Sequence, residues 1–321
     1  MKPKVSIILP VRNAGNTLRS CLDSLINLIF PKDDLEIVVV DNNSTDNTKT
    51  ILKPYPVKYV FESQIGRGSA RNRGVIESLG ELAVFTDADC LADRYWLLNI
   101  IKGFSNKEIG GCGGKILIQE PKNLIEKYID YLDVYSQEEN ILNKKIFLPC
   151  ILTANAAYPR RVLEEVGLFD EQLNGTEDID LSWRVYLKGY KLAYTPEAII
   201  YHLRHRSNPV NSLRKCFQQG EASFCLQRKY INIVKIPFFS CVNGDNFFIR
   251  QFKSLRDLPA SLFKGKGALA KILPFFDILK NTAFVLGKIS VKLRPKWKPV
   301  PISGLARLAA LRQFLLRQDC D

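Results

Sequence analysis

The sequence predicts an α/β fold: a mostly parallel sheet with crossover helices, followed by a helical, basic C-terminal extension. Three observations carry this expectation. Apolar runs of strand length alternate with stretches of helical apolar spacing through the first half of the chain. Each run ends in polar or glycine-rich residues. The charge is also split: from residue 203 onward 22 Lys and Arg stand against 6 Asp and Glu, whereas residues 1–202 carry 24 against 27. A chain of 321 residues, 46% hydrophobic and 25% charged, is long enough for one full globular domain and an appendage. That composition excludes a disordered chain. The expected division is 1–210 and 211–321.

Residues 5–9, 35–40, 57–61 and 82–85 read as buried strands. Between them Leu18, Leu22, Leu25 and Ile29 recur at helical spacing, with a weaker pattern at Ala70, Gly74 and 77–79. The loops at 10–16, 41–48, 66–69 and 87–89 follow the strands, and in open α/β sheets ligands bind beyond the strands' carboxyl ends, so these loops should converge. Over 108–152 the pattern loosens, with Gly110-Gly-Cys-Gly-Gly114 before a short apolar run and a helix-like stretch at 124–142. Pro159 opens a helix that Gly167 stops, and 178–188 form another with Ile179, Trp183 and Leu187 on one face. Residues 190–194 and 198–201 read as closing strands, and the basic region beyond 210 is broken at Pro237, Pro259, Pro274 and Pro295.

Cysteines at 21, 90, 112, 150, 216, 225, 241 and 320 show no Cys-x-x-Cys pair and no zinc-type spacing, and read as reduced, buried small hydrophobes. The apolar run near the N-terminus stops at Pro10, too short for the core of a signal peptide. No stretch reaches the ~18–20 apolar residues of a spanning helix, so membrane contact is expected to be peripheral and the protein cytoplasmic. The basic tail fits a polyanion, either nucleic acid or an anionic leaflet.

Ala83-Val-Phe-Thr-Asp87-Ala-Asp89 ends a strand in two carboxylates separated by one residue. Such oxygen ligands suit Mg2+ or Mn2+ bridging phosphates; the alternative is a cap for a helix beginning near Asp93. Asp41 closes a second strand, where a carboxylate can accept from a ribose hydroxyl or a base N–H, whereas Asp46 reads as part of an N-cap cluster. Gly66-Arg-Gly-Ser-Ala-Arg71 lacks dinucleotide-loop spacing and follows the wrong strand; Arg71 either pairs with a nucleotide or is solvated. Glu177, Asp178 and Asp180 open a helix whose dipole they complement, and one of them can act as a general base. His202, one of two histidines, is either a structural residue or a further metal ligand.

In this order these segments resemble glycosyltransferase family 2, from Val5 to about His202. The carrying motifs are Val-Ser-Ile-Ile-Leu-Pro10-Val11-Arg-Asn, Val-Val-Asp41-Asn-Asn-Ser-Thr-Asp-Asn-Thr, Arg71-Asn-x-Gly74, Phe-Thr-Asp87-Ala-Asp89 and Glu177-Asp178-Ile-Asp-Leu-Ser-Trp183-Arg. The resemblance implies a GT-A fold, a Rossmann-like three-layer sandwich. It implies that Pro10, Val11, Asp41, Arg71, Asp87 and Asp89 hold a UDP-, GDP- or dTDP-linked sugar, with Asp87, Asp89 and His202 at a Mg2+ or Mn2+ ion. Asp178 would be the catalytic base, Glu177 would support it or touch the acceptor, and Asn155 and Trp183 would face the acceptor. The implied reaction is a single inverting displacement that moves one sugar, because the Gln-x-x-Arg-Trp motif of processive members is absent.

Two rivals remain at this level. A nucleotidyltransferase would also use paired aspartates and a metal, but the Glu177-Asp178 junction favours glycosyl transfer. A nucleic-acid-binding protein would explain the tail. Its lysines are interleaved with bulky apolar residues at 263–266, 273–280 and 285–292, which favours an interfacial helix over nucleic acid, with a helical cap on the domain as the alternative. The expected acceptor is therefore a lipid-linked glycan or another membrane-proximal hydroxyl at the inner face of a membrane.

Overall fold

The computed structural model describes residues 4–118, 136–142, 148–203, 209–233 and 268–292. The chain forms two compact units, Met1–Ser207 and Asn208–Asp321. The first is built on one eight-stranded sheet. Its strands are β1 (Val5–Val11), β2 (Leu35–Asp41), β3 (Lys58–Phe61), β4 (Leu82–Phe85), β5 (Cys90–Ala92), β6 (Ile109–Ile118), β7 (Ala156–Pro159) and β8 (Lys191–His202), in the order β3-β2-β1-β4-β7-β6-β8-β5. The pairs among β3, β2, β1 and β4 are parallel, as is β6 with β8; β4 with β7, β6 with β7 and β5 with β8 are antiparallel. The first half is the parallel sheet expected, and the antiparallel pairs make the second half mixed.

Strand periodicity sets the layers. Val5, Ile7, Leu9 and Val11 point to one face of β1, where they pack with Leu18, Cys21, Leu22 and Leu25 of α1 (Leu18–Ile26) and with Trp96, Leu97 and Ile100 of α4 (Trp96–Lys102). On the other face Ala83 and Phe85 meet Val162 and Leu163 of α6 (Arg160–Val166) and Leu181 and Val185 of α7 (Glu177–Leu187). Two helical layers thus enclose the sheet. The short helices α2 (Thr48–Leu52) and α5 (Gln137–Ile141) complete the unit with α3 (Arg67–Glu77), which lies close on the sheet: a Cβ on Gly74 would stand 2.4 Å from Ile8 Cγ2.

The chain order reverses at β1, which has β2 on one side and β4 on the other. Its pairing with β2 runs the full length to Val11, but that with β4 stops at Ile8 opposite Phe85. Beyond Ile8 the two strands part, and Pro10 sits where no β4 partner needs its missing N–H. Such a switch point is the standard position of a ligand crevice in open α/β sheets.

Several elements differ from the sequence reading. The glycine run 110–114 lies inside β6, because neighbouring groups leave no room there: a Cβ on Gly114 would stand 2.2 Å from Ala198 O. The two closing strands are one strand, β8, with register shifts in its pairing to β6. The helix-like stretch at 124–142 is described at its C-terminal end, as α5; its first part lies outside the described residues. Gly167, at φ 87°, does end α6 in the left-handed conformation that glycine adopts without steric cost.

In the second unit α8 (Pro209–Lys229) and α9 (Ala268–Lys292) pair closely. A Cβ on Gly220 would meet Phe284 O at 1.9 Å, and one on Gly287 would meet Phe217 O at 2.0 Å. Pro274 lies within α9 rather than breaking it. Val285, Lys288 and Val291 are buried, as is Phe284 just before them, so this part of 285–292 is core and not a lipid-facing stripe; Leu286 is exposed. No described helix is long and apolar enough to cross a membrane. The segment 263–266, Pro237, Pro259 and Pro295 lie outside the described residues.

Candidate active site

The loops after β1 and β2 are clasped together at the crevice. Asn13 N–H donates to Ser44 Oγ (3.0 Å), Thr45 N–H to Asn13 Oδ1 (2.8 Å) and Gly15 N–H to Asp46 Oδ2 (3.0 Å). Asp46 Oδ1 also accepts from Thr48 N–H and its hydroxyl, the second of which leads in holding its pKa down. Asp46 is therefore a structural turn residue, as its place in a cap cluster predicts. Asp41, at the end of β2, is buried, and its two oxygens accept from Ser44 N–H (3.0 Å) and the Tyr59 hydroxyl (3.1 Å). Each oxygen keeps a second lone pair for a ligand. Pro10 is half-buried and Val11 is buried at the end of β1.

After β4 the chain makes a tight turn, with Cys90 N–H donating to Asp87 O at 3.0 Å. This turn caps no helix. Asp93 serves near α4 instead, accepting from Tyr95 N–H (2.9 Å). Asp87 Oδ1 meets Arg71 Nη2 at 3.1 Å, and Asp89 Oδ1 stands 3.7 Å from His202 Nε2. Asp89, Cys90 and His202 bring one ligand atom each within 4.8 Å of one another. A carboxylate and an imidazole at this spacing fit a divalent cation, with Asp87 on the same turn.

Arg71 was expected at the nucleotide, but the structure turns it inward. Its guanidinium is buried, holding Asp87 on one side and Glu177 Oε1 (2.7 Å) on the other, with the Phe169 ring 5.7 Å away. Burial works against its charge, but Asp87, Glu177 and Asp178 outweigh that and raise its pKa. Glu177 is buried as well, its second oxygen accepting from Gly175 N–H at 2.6 Å. It supports its neighbours and cannot also face an acceptor. Arg71 thus ties the start of α7 to the turn after β4.

Asp178, next to Glu177, is half-buried at the first turn of α7 and accepts from Ile179 N–H at 2.9 Å. Burial first, and then the Glu177 charge, push its carboxyl up to about 6, against the opposing pull of Arg71, Ile179 N–H and Arg67. The third acid, Asp180, is fully buried and pairs with Arg184 at 2.8 Å; Arg184 also donates to Val166 O and Leu168 O, pinning the loop before α7.

Two expected acceptor residues belong to the core. Asn155 is fully buried, accepting from Trp96 Nε1 (2.8 Å) and donating to Lys115 O (2.9 Å) and Ala198 O (2.8 Å), so its amide locks β6, β8 and α4 together. Trp183 is also fully buried, with Nε1 donating to Leu148 O at 3.2 Å. Neither side chain has surface to offer an acceptor. Sequence reasoning missed Asn42, which ties the loop after β3 to the end of β2 through Glu62 O, Gln64 O and Gly66 N–H. It also missed Asn72, which holds Phe169 by both backbone groups. Both asparagines lie inside motifs already noted, and their partners, backbone groups for Asn42 and both the Phe169 backbone and the Glu171 carboxylate for Asn72, are ones that a sequence pattern does not mark.

A sheet enclosed by two helical layers, with carboxylates gathered at its switch point, defines an α/β protein of the GT-A fold. Residues 6–167 match Glycosyl transferase family 2, and the chain belongs to that family. Among curated relatives, the probable glycosyltransferase YdaM of Bacillus subtilis is 32% identical over 212 residues, covering 62% of this chain and 50% of its own. Glycosyltransferase AglE of Haloferax volcanii is 28% identical over 228 residues, covering 68% and 72%. The chain thus spans half the length of the first relative. Among solved structures, mannosyltransferase PcManGT of Pyrobaculum calidifontis, determined with GDP-Man and Mn2+, superposes with a TM-score of 0.62 at 20% identity, covering 92% of this chain and 89% of that one.

Proposed function

We propose that this protein transfers one hexose or deoxyhexose from a UDP-, GDP- or dTDP-linked sugar to an acceptor hydroxyl, with inversion and with Mg2+ or Mn2+. The observation that carries the reading is Asp178, a carboxylate raised to about 6 at the mouth of α7 and linked through Glu177 and Arg71 to the Asp87–Asp89 turn. A group titrating near neutrality is ionised enough to accept a proton and basic enough to hold it. Asp178 takes the acceptor proton as the hydroxyl attacks the anomeric carbon. Asp41 accepts a hydrogen bond from the nucleoside, and Arg71 keeps base and donor sites in register. Asp89 and His202, with Asp87 beside them, would hold a divalent ion, which would supply positive charge for the departing diphosphate.

Support for the metal comes from the cluster at Asp89 and from the Mn2+ in the mannosyltransferase complex. We place the acceptor on a lipid-linked glycan at the cytoplasmic face of a membrane, since the basic excess beyond residue 203 favours an anionic leaflet. Binding to anionic vesicles that salt weakens, and none to neutral vesicles, supports that placement; equal flotation on both contradicts it. Screening UDP-, GDP- and dTDP-sugars with Mg2+ or Mn2+ tests the activity. The reading expects free nucleoside diphosphate from at least one donor, lost in EDTA; release of pyrophosphate points to a nucleotidyltransferase instead.

A further inference from the structure

We propose that Cys90 supplies a sulfur ligand to the cation held by Asp89 and His202, so that this site takes borderline-soft divalent ions such as Zn2+ and Co2+ in preference to Mg2+. The inference rests on the metal reading above and adds to it a residue outside the Asp-x-Asp pattern.

The backbone places the three groups together. Cys90 opens β5 and lies directly opposite His202 in the antiparallel β5–β8 pair, so the two side chains share one face of the sheet. Leu203 N–H donates to Asp89 O at 2.7 Å, fixing the turn against the end of β8. Asp89 Oδ1 then stands 3.7 Å from His202 Nε2 and 3.9 Å from Cys90 Sγ. Ligand atoms bound at about 2.0–2.3 Å around one tetrahedral ion stand about 3.3–3.8 Å apart, which the two Asp89 pairs nearly match, while the third pair lies within 4.8 Å and closes on the ion.

The imidazole is oriented for the task. His202 Nδ1 lies 3.1 Å from Leu203 O, and a carbonyl only accepts, so Nδ1 carries the hydrogen. In the neutral ring Nε2 then presents its lone pair towards Asp89. Metal-binding histidines are commonly fixed by this carbonyl contact. Asp89 and His202 retain 27% and 16% side-chain exposure, which gives an ion a way in.

Cys90 itself is buried, and burial first, then Asp87, Asp89 and Cys21, raise its thiol pKa well above the ordinary value. Without an ion the group is a thiol. An ion's charge reverses that preference: the S–H bond breaks, a metal–sulfur bond forms and the proton leaves to solvent. A thiolate alongside imidazole and carboxylate favours Zn2+ and Co2+ over the hard Mg2+, which prefers oxygen.

Co2+ titration of the full chain, followed by absorption, tests this directly. The expected spectrum combines cobalt d–d bands with a thiolate-to-cobalt charge-transfer band in the near ultraviolet. Cys90→Ser should lose the charge-transfer band but keep d–d absorption, and Zn2+ affinity should fall about tenfold or more while Mg2+ affinity holds. Cys21→Ser, which removes the neighbouring thiol, should keep the band; Asp89→Asn should weaken it. Circular dichroism checks that each variant is folded, with Cys90→Ala in reserve. Cobalt bound by the wild type without charge transfer, or a band that survives in Cys90→Ser, overturns the sulfur ligand and leaves the metal reading standing. No cobalt binding at all contradicts both.

Discussion

Asp178 and its neighbours divide the work of three acids that look alike in the sequence. Asp180 is spent on Arg184, Glu177 on Arg71 and Gly175, and Asp178 keeps the raised carboxyl. The proposed base must be ionised, so kcat/KM should fall as pH drops below about 6. Glu177→Gln removes a charge that raises Asp178, so that acid limb should move to lower pH; an unmoved limb in a folded variant contradicts the coupling. The same shift has a stability consequence. Between its ordinary value of 3.8 and about 6 the folded state holds the Asp178 proton more tightly than the unfolded chain. Stability therefore declines as pH rises through that window, and above about 6 the cost stands in full. Asp178→Asn should thus abolish transfer, retain donor binding and raise Tm at neutral pH, with the gain shrinking towards pH 4. A lower Tm at neutral pH would show that burial of this carboxylate is not the cost argued here. The proposed donor site lies on the other side of the bridge, and Asp41→Ala should mainly weaken donor binding.

Elements follow from packing that the sequence marks unevenly. The strands at 5–11, 35–41 and 82–85 are legible because both faces are covered, which makes each a short apolar run, while the edge strand at 58–61 buries Val60 alone. β6 is not legible, since its glycines are set by Tyr158, Asn155 and Tyr190 across space rather than by any local pattern. Asn155 and Trp183 escape the sequence for a related reason: the groups that bury them, Trp96 with the Lys115 and Ala198 carbonyls for one and the Leu148 carbonyl for the other, lie far along the chain. Arg71 shows the same limit, because a buried arginine is recognised only by the two acids it meets, 16 and 106 positions away. Close approach gives the test at this scale. Gly74→Val pushes α3 off Ile8 and Val40 and should cost about 1–3 kcal/mol, read as a lower denaturation midpoint. An unchanged midpoint would mean that α3 can lift without loss.

For the whole molecule, the sheet's switch point gathers the proposed nucleotide side at the ends of β1, β2 and β4, while α7 brings the proposed base from a later part of the chain. Arg71 joins the two, which is how a site assembled from distant segments keeps its geometry. In the second unit, α8 and α9 approach closely at Gly220 and Gly287, and Val285 and Val291 are buried, as in the helical cap that the sequence offers as the alternative to an interfacial helix. The central claim is inverting sugar transfer with Asp178 as base. It is tested most directly by proton NMR of the reaction with a turned-over donor, observing the anomeric signal of the first product and the nucleotide released. The account predicts free nucleoside diphosphate and an anomeric configuration opposite to that of the donor, both absent with Asp178→Asn. A retained configuration, released pyrophosphate, or near wild-type turnover by the folded Asp178→Asn variant would contradict it.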